Sequence, residues 1–139
     1  MNNKGFTLIE LLAVIVILAI IALIATPIIL DLIADARTQA KKRSAELVYT
    51  GVEYAYTSAL YNTTEGAYVG DPSLADIKGK FTVENATAKD IANDELPIET
   101  NDGVYCKVTK DNDSINVACY DNSNYSGDAI LSKEIITAE

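Results

Sequence analysis

Two charged groups near the amino terminus are the residues whose type and spacing most directly point to chemistry. Glu10 stands at the start of an apolar run, and Lys4 is the nearest cation in the sequence. A carboxylate in an apolar interior is costly unless a cation pairs with it. Cleavage after Gly5 would create an amine on Phe6, one helical turn from Glu10 and charged near neutral pH. We therefore expect Glu10 to pair with the Phe6 amine of its own or a neighbouring chain; the alternative is a Glu10 that reaches water at a membrane interface.

Other chemistries are disfavoured by composition. The chain contains no histidine, which removes the usual serine triad and histidine metal sites. Its 7 glycines are scattered without forming a phosphate-binding loop, and its net charge of -9 argues against contact with nucleic acid. The acids Asp94, Glu95 and Glu99 are interpreted as solvated surface charge. We predict a protein that is not an enzyme and that binds no metal or cofactor.

The apolar run from Leu11 to Leu30 is interrupted only by Thr26 and Pro27. As a helix it would extend about 30 Å, the thickness of the hydrocarbon core of a bilayer. Its aliphatic residues favour insertion by about -4 to -8 kcal/mol, which exceeds the cost of about 3 kcal/mol for one buried carboxylate. A cleaved secretory signal fits less well, because the apolar region is too long and begins beside an acid. The sequence therefore predicts a membrane-spanning helix.

The segment Lys4-Gly5-Phe6-Thr7-Leu8-Ile9-Glu10, followed by this apolar run, resembles the prepilin signature of type IV pilins and related pseudopilins. In that family a membrane peptidase cuts after the glycine and methylates the new terminal residue, and the glutamate helps a subunit join the filament. The resemblance implies cleavage between Gly5 and Phe6, methylation of Phe6, and a role for Glu10 in assembly. Pro27 resembles a proline that the family places late in the span, where it also assists assembly; otherwise it marks a simple bend.

Beyond the span, small and apolar residues continue to recur at helical spacing. These residues are Ile33, Ala36, Ala40, Ser44, Leu47, Gly51, Ala55 and Ala59. We expect one helix that begins at Phe6 and ends near Tyr61, before the polar segment 62–66. The expected organisation is a leader peptide at 1–5, a membrane and assembly half of the helix at 6–30, an amphipathic half at 31–61, and a head at 62–139. The predicted fold is α+β and pilin-like, with the helix packed against a small antiparallel sheet.

Alternating residues between Gly103 and Tyr120 predict a β-hairpin in the head. Its apolar face comprises Val104, Cys106, Val108, Ile115, Val117 and Cys119. With Asn112-Asp113 as a two-residue turn, Cys106 lies opposite Cys119 in a non-hydrogen-bonded pair that is close enough for a disulfide. Two reduced buried cysteines are the alternative. We also expect a short strand at 80–84, a short helix at 87–93, and another strand within 129–136.

These expectations together favour a structural subunit that polymerises through its amino-terminal helix into a type IV pilus. The resemblance implies several partners: further copies of the chain, a prepilin peptidase, an assembly platform with an ATPase motor, and the membrane before assembly. It also places the precursor in the cytoplasmic membrane with its amino terminus inside, although the basic residues at 37–43 favour the opposite orientation. The alternatives are a minor pilin, a competence pilin or a secretion pseudopilin, and, from another class, a monomeric binding domain tethered to the membrane.

Overall fold

The computed structural model describes residues 4–62, 67–68, 70–112 and 114–136. The chain divides into two compact units, Met1–Thr38 and Gln39–Glu139. Helix α1, Leu8–Leu60, runs through both. The remaining elements are β1 (Tyr61–Asn62), β2 (Ala67–Tyr68), α2 (Leu74–Lys80), β3 (Ala86–Ala88), β4 (Glu95–Thr100), β5 (Tyr105–Asp111), β6 (Ser114–Tyr120) and β7 (Leu131–Ile136). A long amino-terminal helix with an antiparallel sheet confirms the predicted α+β class.

The first unit has no core of its own in the part that the structure describes. Large apolar side chains from Leu8 to Ile33 keep 43% to 83% of their surface exposed. The helix is long and apolar enough to cross a membrane. This stretch therefore requires an apolar environment that the chain itself does not supply.

Pro27 lies inside α1 without ending it. Proline cannot donate a hydrogen bond to the carbonyl one turn earlier, which weakens a helix locally. Beside it, the Thr26 hydroxyl donates to the Ala22 carbonyl at 2.6 Å, so this polar side chain is satisfied within the helix. The helix continues to Leu60, so the loss of one backbone hydrogen bond at Pro27 does not end it.

The second unit is built on a five-stranded antiparallel sheet in the order β3-β4-β5-β6-β7. Buried and half-buried residues alternate along β4, β5 and β6, so one sheet face forms the core. The carboxyl-terminal part of α1 covers this face. The shared core comprises Ala45, Val48, Val52, Ala55, Tyr56, Leu74, Ile77, Leu96, Ile98, Val104, Cys106, Val108, Ile115, Val117, Cys119 and Ile135.

The predicted β-hairpin and its register are confirmed. Cys106 pairs with Cys119 across β5 and β6, and a disulfide joins them. The Cys119 carbonyl accepts from the Ile130 N–H, on the side of β6 that faces β7. Because the N–H and C=O of a strand residue point to the same side, the cysteines form the expected non-hydrogen-bonded pair with β5. Of the predicted turn, Asp113 lies outside the described residues.

Two local predictions in the head are wrong. The strand expected at 80–84 is absent, since α2 ends at Lys80 and the chain then turns. Helix α2 begins at a capping box in which Ser73 and Asp76 exchange hydrogen bonds. The helix expected at 87–93 is instead β3 and a tight turn. Asn93 and Asp94 both have positive φ, of 53° and 59°, as a two-residue hairpin turn requires.

The buried face of α1 also differs from the predicted stripe. Ala55 and Ala59 are buried as expected, but Leu47 is 60% exposed, while Val48 and Val52 are fully buried. The face that packs against the sheet thus lies about one residue away from the predicted stripe, and its buried residues are Ala45, Val48, Val52, Ala55, Tyr56 and Ala59. Gly51 lies at the edge of this face, where an added Cβ would overlap the Val83 side chain.

The polar segment predicted to end α1 lies largely outside the described residues, as do residues 1–3 of the expected leader. The helix itself ends at Leu60, one residue before the predicted end. The next residues, Tyr61 and Asn62, pair with Tyr68 and Ala67 in the two-stranded sheet.

Candidate functional site

Glu10 is held at the start of α1 by a capping box with Thr7. The Thr7 N–H and hydroxyl donate to Glu10 Oε2 at 2.9 and 3.0 Å, and the Glu10 N–H donates to Thr7 Oγ1 at 3.3 Å. The Thr7 carbonyl accepts the first helical hydrogen bond, from the Leu11 N–H at 3.3 Å. Thr7 therefore ends the non-helical backbone, and Glu10 is the third residue of the helix.

Sequence reasoning missed this role, although the signal is present. Thr7-Leu8-Ile9-Glu10 has the spacing of a helix-initiating box, with a hydroxyl residue followed three positions later by glutamate. The same carboxylate that is proposed to pair with an amine thus also fixes where α1 begins.

The capping bonds do not neutralise the charge of Glu10. The Thr7 donors are neutral, and among the described residues no cation forms an ion pair with Glu10. Phe6, whose nitrogen is the proposed new amine, lies one residue before the Thr7 N–H that contacts the carboxylate. The side chain of Phe6 is 92% exposed. The carboxylate therefore remains open to a cation from its own chain or from another.

The predicted site residues do not all come together. Gly5, Phe6 and Glu10 lie within six residues at the helix start. Pro27 follows Glu10 by about 26 Å along the helix at 1.5 Å per residue, so it contributes no contact to that carboxylate. Cys106 and Cys119 lie in the core of the second unit, with no exposed surface.

The acids of the head have mostly structural partners. Glu95 pairs with Lys107 at 3.3 Å, and Glu99 pairs with Lys89 at 3.1 Å. No group of three or more metal-binding side chains occurs among the described residues.

Hydrogen bonding and burial shift the pKa of some head groups. A hydrogen bond from Lys78 to Asp90, together with the charge of that lysine, lowers the pKa of Asp90. Partial burial raises the pKa of Tyr125, and the charges of Glu99 and Glu95 raise it further. Both pKa shifts have a structural explanation: a surface ion pair for Asp90 and partial burial of the ring for Tyr125.

Comparison with known proteins gives one match. Residues 1–26 match the family model described as the prokaryotic N-terminal methylation motif. No curated protein and no solved structure matches the chain. The matched residues include Gly5, Phe6 and Glu10 and end one position before Pro27. A motif of this kind implies processing by a prepilin peptidase and anchoring in a membrane through the apolar helix.

Proposed function

We propose that this type IV pilin-like protein, whose first 26 residues carry the prepilin signal, is a structural subunit of a type IV pilus. It is cleaved between Gly5 and Phe6, methylated on Phe6, and polymerised through α1 into an extracellular filament. The observation that supports this most is the start of α1. There a carboxylate without an ion-pair partner among the described residues opens a helix whose apolar side chains remain exposed.

The exposed helix explains why such a subunit would polymerise. An apolar helix does not leave lipid unless another apolar environment replaces the lipid. A bundle of identical helices provides that environment, since its packing surface is made of the same side chains. Contacts between different faces of successive copies do not close into a ring and therefore produce an open filament.

Glu10 would set the axial position of each incoming subunit. In a bundle of apolar helices, an unpaired carboxylate or amine is strongly unfavourable. A position that brings the Phe6 amine of one copy to Glu10 of another avoids both costs at once. The Thr7 bonds keep the carboxylate at the helix start, where such an amine arrives.

The partners follow from the resemblance to prepilins, and the need for a motor follows from the energetics of extraction. A prepilin peptidase exposes the amine, and an assembly platform receives the processed subunit from the membrane. Extraction from lipid requires work, which an external ATP-driven motor supplies. Pro27 would let the helix bend or loosen during this transfer, because it removes one backbone hydrogen bond.

The decisive experiment is mass spectrometry of the amino terminus in filaments sheared from the cell surface. We expect a chain that begins with methylated Phe6 and is the most abundant protein of the filament. An intact Met1 in a chain that stays in the membrane would instead support the tethered binding domain. A processed chain present only in trace amounts would support a minor pilin or a pseudopilin.

A further inference from the structure

Helix α1 begins just after the proposed cleavage point. Residues 4–7 have no regular secondary structure, and the first residue of α1 is Leu8. The first carbonyl to accept a helical hydrogen bond is that of Thr7, from the Leu11 N–H. The Gly5 carbonyl belongs to the proposed scissile bond and precedes Thr7 by two residues. It therefore lies outside the helical hydrogen-bond ladder.

A peptide bond in this position is open to a peptidase. Gly5 and Phe6 are both exposed, and Phe6 keeps 92% of its surface accessible. Apart from the chain neighbours of Gly5, no atom lies within 4 Å of the position that a Cβ there would occupy. A peptidase must reach the carbonyl carbon of the bond that it cuts, and it binds substrates as extended backbone. The same bond inside a helix would have its carbonyl bonded to an amide one turn later.

The start of α2 shows that this capping arrangement separates helix from non-helical chain elsewhere in the protein. The Ser73 N–H donates to Asp76 Oδ2 at 2.9 Å, and the Asp76 N–H donates to Ser73 Oγ at 3.3 Å. Thr7 and Glu10 exchange the same two hydrogen bonds at the same two distances. In both places the backbone before the hydroxyl residue is not helical.

Without the Thr7 hydroxyl, one further helical turn would be the most direct way to satisfy the start of α1. The N–H groups of residues 8–10 have no carbonyl within the helix to which they can donate. Of these, the Glu10 N–H now donates to Thr7 Oγ1. Unsatisfied N–H groups are unfavourable beside a bilayer. An added turn supplies the carbonyls of residues 4–6, and so it places the Gly5 carbonyl inside the ladder.

The sequence contains a competing helix start one turn upstream. Asn3, like Thr7, is a residue type that is preferred as a helix cap. A helix capped by Asn3 would include Gly5 and Phe6 in its first turn. Phe6 would then take the third helical position, where it has no side-chain acceptor to return a bond to the cap. Glu10 supplies that acceptor for Thr7, which favours the later start.

We propose that Thr7 is a positioning residue for leader cleavage, because its cap holds the Gly5–Phe6 bond outside α1, in the non-helical form that a prepilin peptidase can cut. This inference rests on the proposed processing of the chain and adds a requirement on the substrate. The Thr7 hydroxyl acts through the helix start and not through contact with the peptidase. Glu10→Ala keeps this requirement fulfilled, because the hydroxyl still accepts from the backbone N–H of residue 10.

The test measures how fast the peptidase removes the leader from the full-length precursor in vesicles of phosphatidylethanolamine and phosphatidylglycerol. Thr7→Val replaces the hydroxyl by a methyl group and should slow cleavage about five-fold, as the loss of one helix cap predicts. Thr7→Ser keeps the hydroxyl and should be cleaved within about two-fold of the parent rate. Thr50→Val is the matched control, since the Thr50 hydroxyl only donates to the Glu46 carbonyl within α1, and its cleavage rate should equal that of the parent.

Leu8→Pro separates the helix start from recognition of the hydroxyl. Proline is favoured at the first helical position, keeps the preceding residue extended and resists an added turn upstream. Thr7→Val/Leu8→Pro should therefore be cleaved within about two-fold of the rate of Leu8→Pro alone. If Thr7→Val slows cleavage as much in the Leu8→Pro chain as in the parent, the peptidase reads the hydroxyl itself and the inference is overturned.

A spectroscopic measurement reports the helix start without the peptidase. With an isotope label in the Gly5 carbonyl, the NMR chemical shift of the precursor in micelles shows whether that carbonyl is helical. We expect the shift to move toward the helical value in Thr7→Val and to stay at the parent value in Thr7→Ser. An unchanged shift in Thr7→Val, or cleavage of that variant at the parent rate, would overturn this inference alone. If the parent precursor is not cut between Gly5 and Phe6, the proposed function fails and this inference fails with it.

Discussion

The two ends of α1 differ in whether their apolar side chains are covered by the rest of the chain. From Leu8 to Ile33 the helix keeps its apolar side chains exposed, whereas from Ala45 to Ala59 it buries one face against the sheet. The first region requires an apolar environment from outside the chain, whereas the second is covered by the sheet of its own chain. Variants in the first region should therefore change processing and assembly, and variants in the second should change folding stability.

The largest effect is expected at the cleavage point. Gly5→Leu places a bulky side chain where the peptidase must approach the backbone closely, and only glycine has no Cβ there. We expect the precursor to accumulate in the membrane with its leader attached, as measured by the mass of the intact chain. Gly79→Leu is the control, since it changes a glycine of the second unit and should be processed normally. Normal processing of Gly5→Leu would contradict the assigned cleavage point.

Glu10→Ala should separate cleavage from assembly. The proposed cleavage lies before Phe6, so processing should continue, but the variant would leave the amine of each new subunit without a partner. We expect filament number to fall at least about ten-fold, as counted by electron microscopy of surface filaments. Glu10→Gln keeps an acceptor for the Thr7 cap and should restore the helix start without restoring assembly. If both variants assembled fully, the ion pair between Glu10 and the Phe6 amine would not be required for assembly.

In the second region, the disulfide should have the largest effect. Replacing both Cys106 and Cys119 by alanine removes a cross-link that closes a loop of 13 residues, which is worth about 3 kcal/mol. The thermal midpoint of the tyrosine near-ultraviolet signal should fall while leader cleavage stays unchanged. An unaltered midpoint would mean that the bridge does not constrain the unfolded chain.

A smaller loss is expected at Gly51. Gly51→Ala forces the Val83 side chain to move and should lower the free energy of unfolding by about 1–3 kcal/mol. Gly79→Ala is the matched control because no atom lies within 4 Å of the added Cβ, and it should raise helix stability by up to about 1 kcal/mol. Chemical denaturation of both variants checks the comparison. Equal free energies of unfolding for Gly51→Ala and Gly79→Ala would show that residues 81–83 can move aside without loss of stability.

The smallest effect concerns pH. Lys78 lowers the pKa of Asp90 from its ordinary value of 3.8, so this pair stabilises the fold above that pH and loses its contribution as the pH falls through the lower folded-state pKa. Asp90→Asn should flatten the acid limb of the stability profile slightly and lower stability at pH 7 by the same small amount, because the Asp90 carboxylate is fully exposed to water. If the stability of Asp90→Asn falls as steeply at acid pH as that of the parent, other carboxylates cause the pH dependence.

Several features could be predicted because their causes are local. The apolar run predicts a helix that suits a membrane, and strict alternation over 104–119 fixes both the buried face and the partner of each cysteine. The combination of Gly5, Phe6 and Glu10 before the run predicts the methylation motif that the family model matches. The capping boxes at Thr7 and Ser73 are equally local, since in each a hydroxyl residue is followed three positions later by an acid.

The remaining features depend on residues that are distant in the sequence. Helical periodicity predicted a stripe through Leu47, whereas the face that the sheet covers runs through Val48 and Val52. Pro97 is accommodated in β4 for a similar reason. Its carbonyl accepts from the Lys89 N–H just beyond β3, and its missing N–H points to that same side, so proline costs only the reciprocal bond to Lys89 and no bond to β5.

The sequence by itself determined which stretch is apolar enough to cross a membrane, where the methylation motif lies, and which cysteines face each other, since each of these follows from neighbouring residues or from a period of two. The tertiary structure alone decided which face of α1 is buried and which stays exposed. That choice depends on how the sheet meets the helix, and the periodicity of one helix contains no information about the surface that it meets.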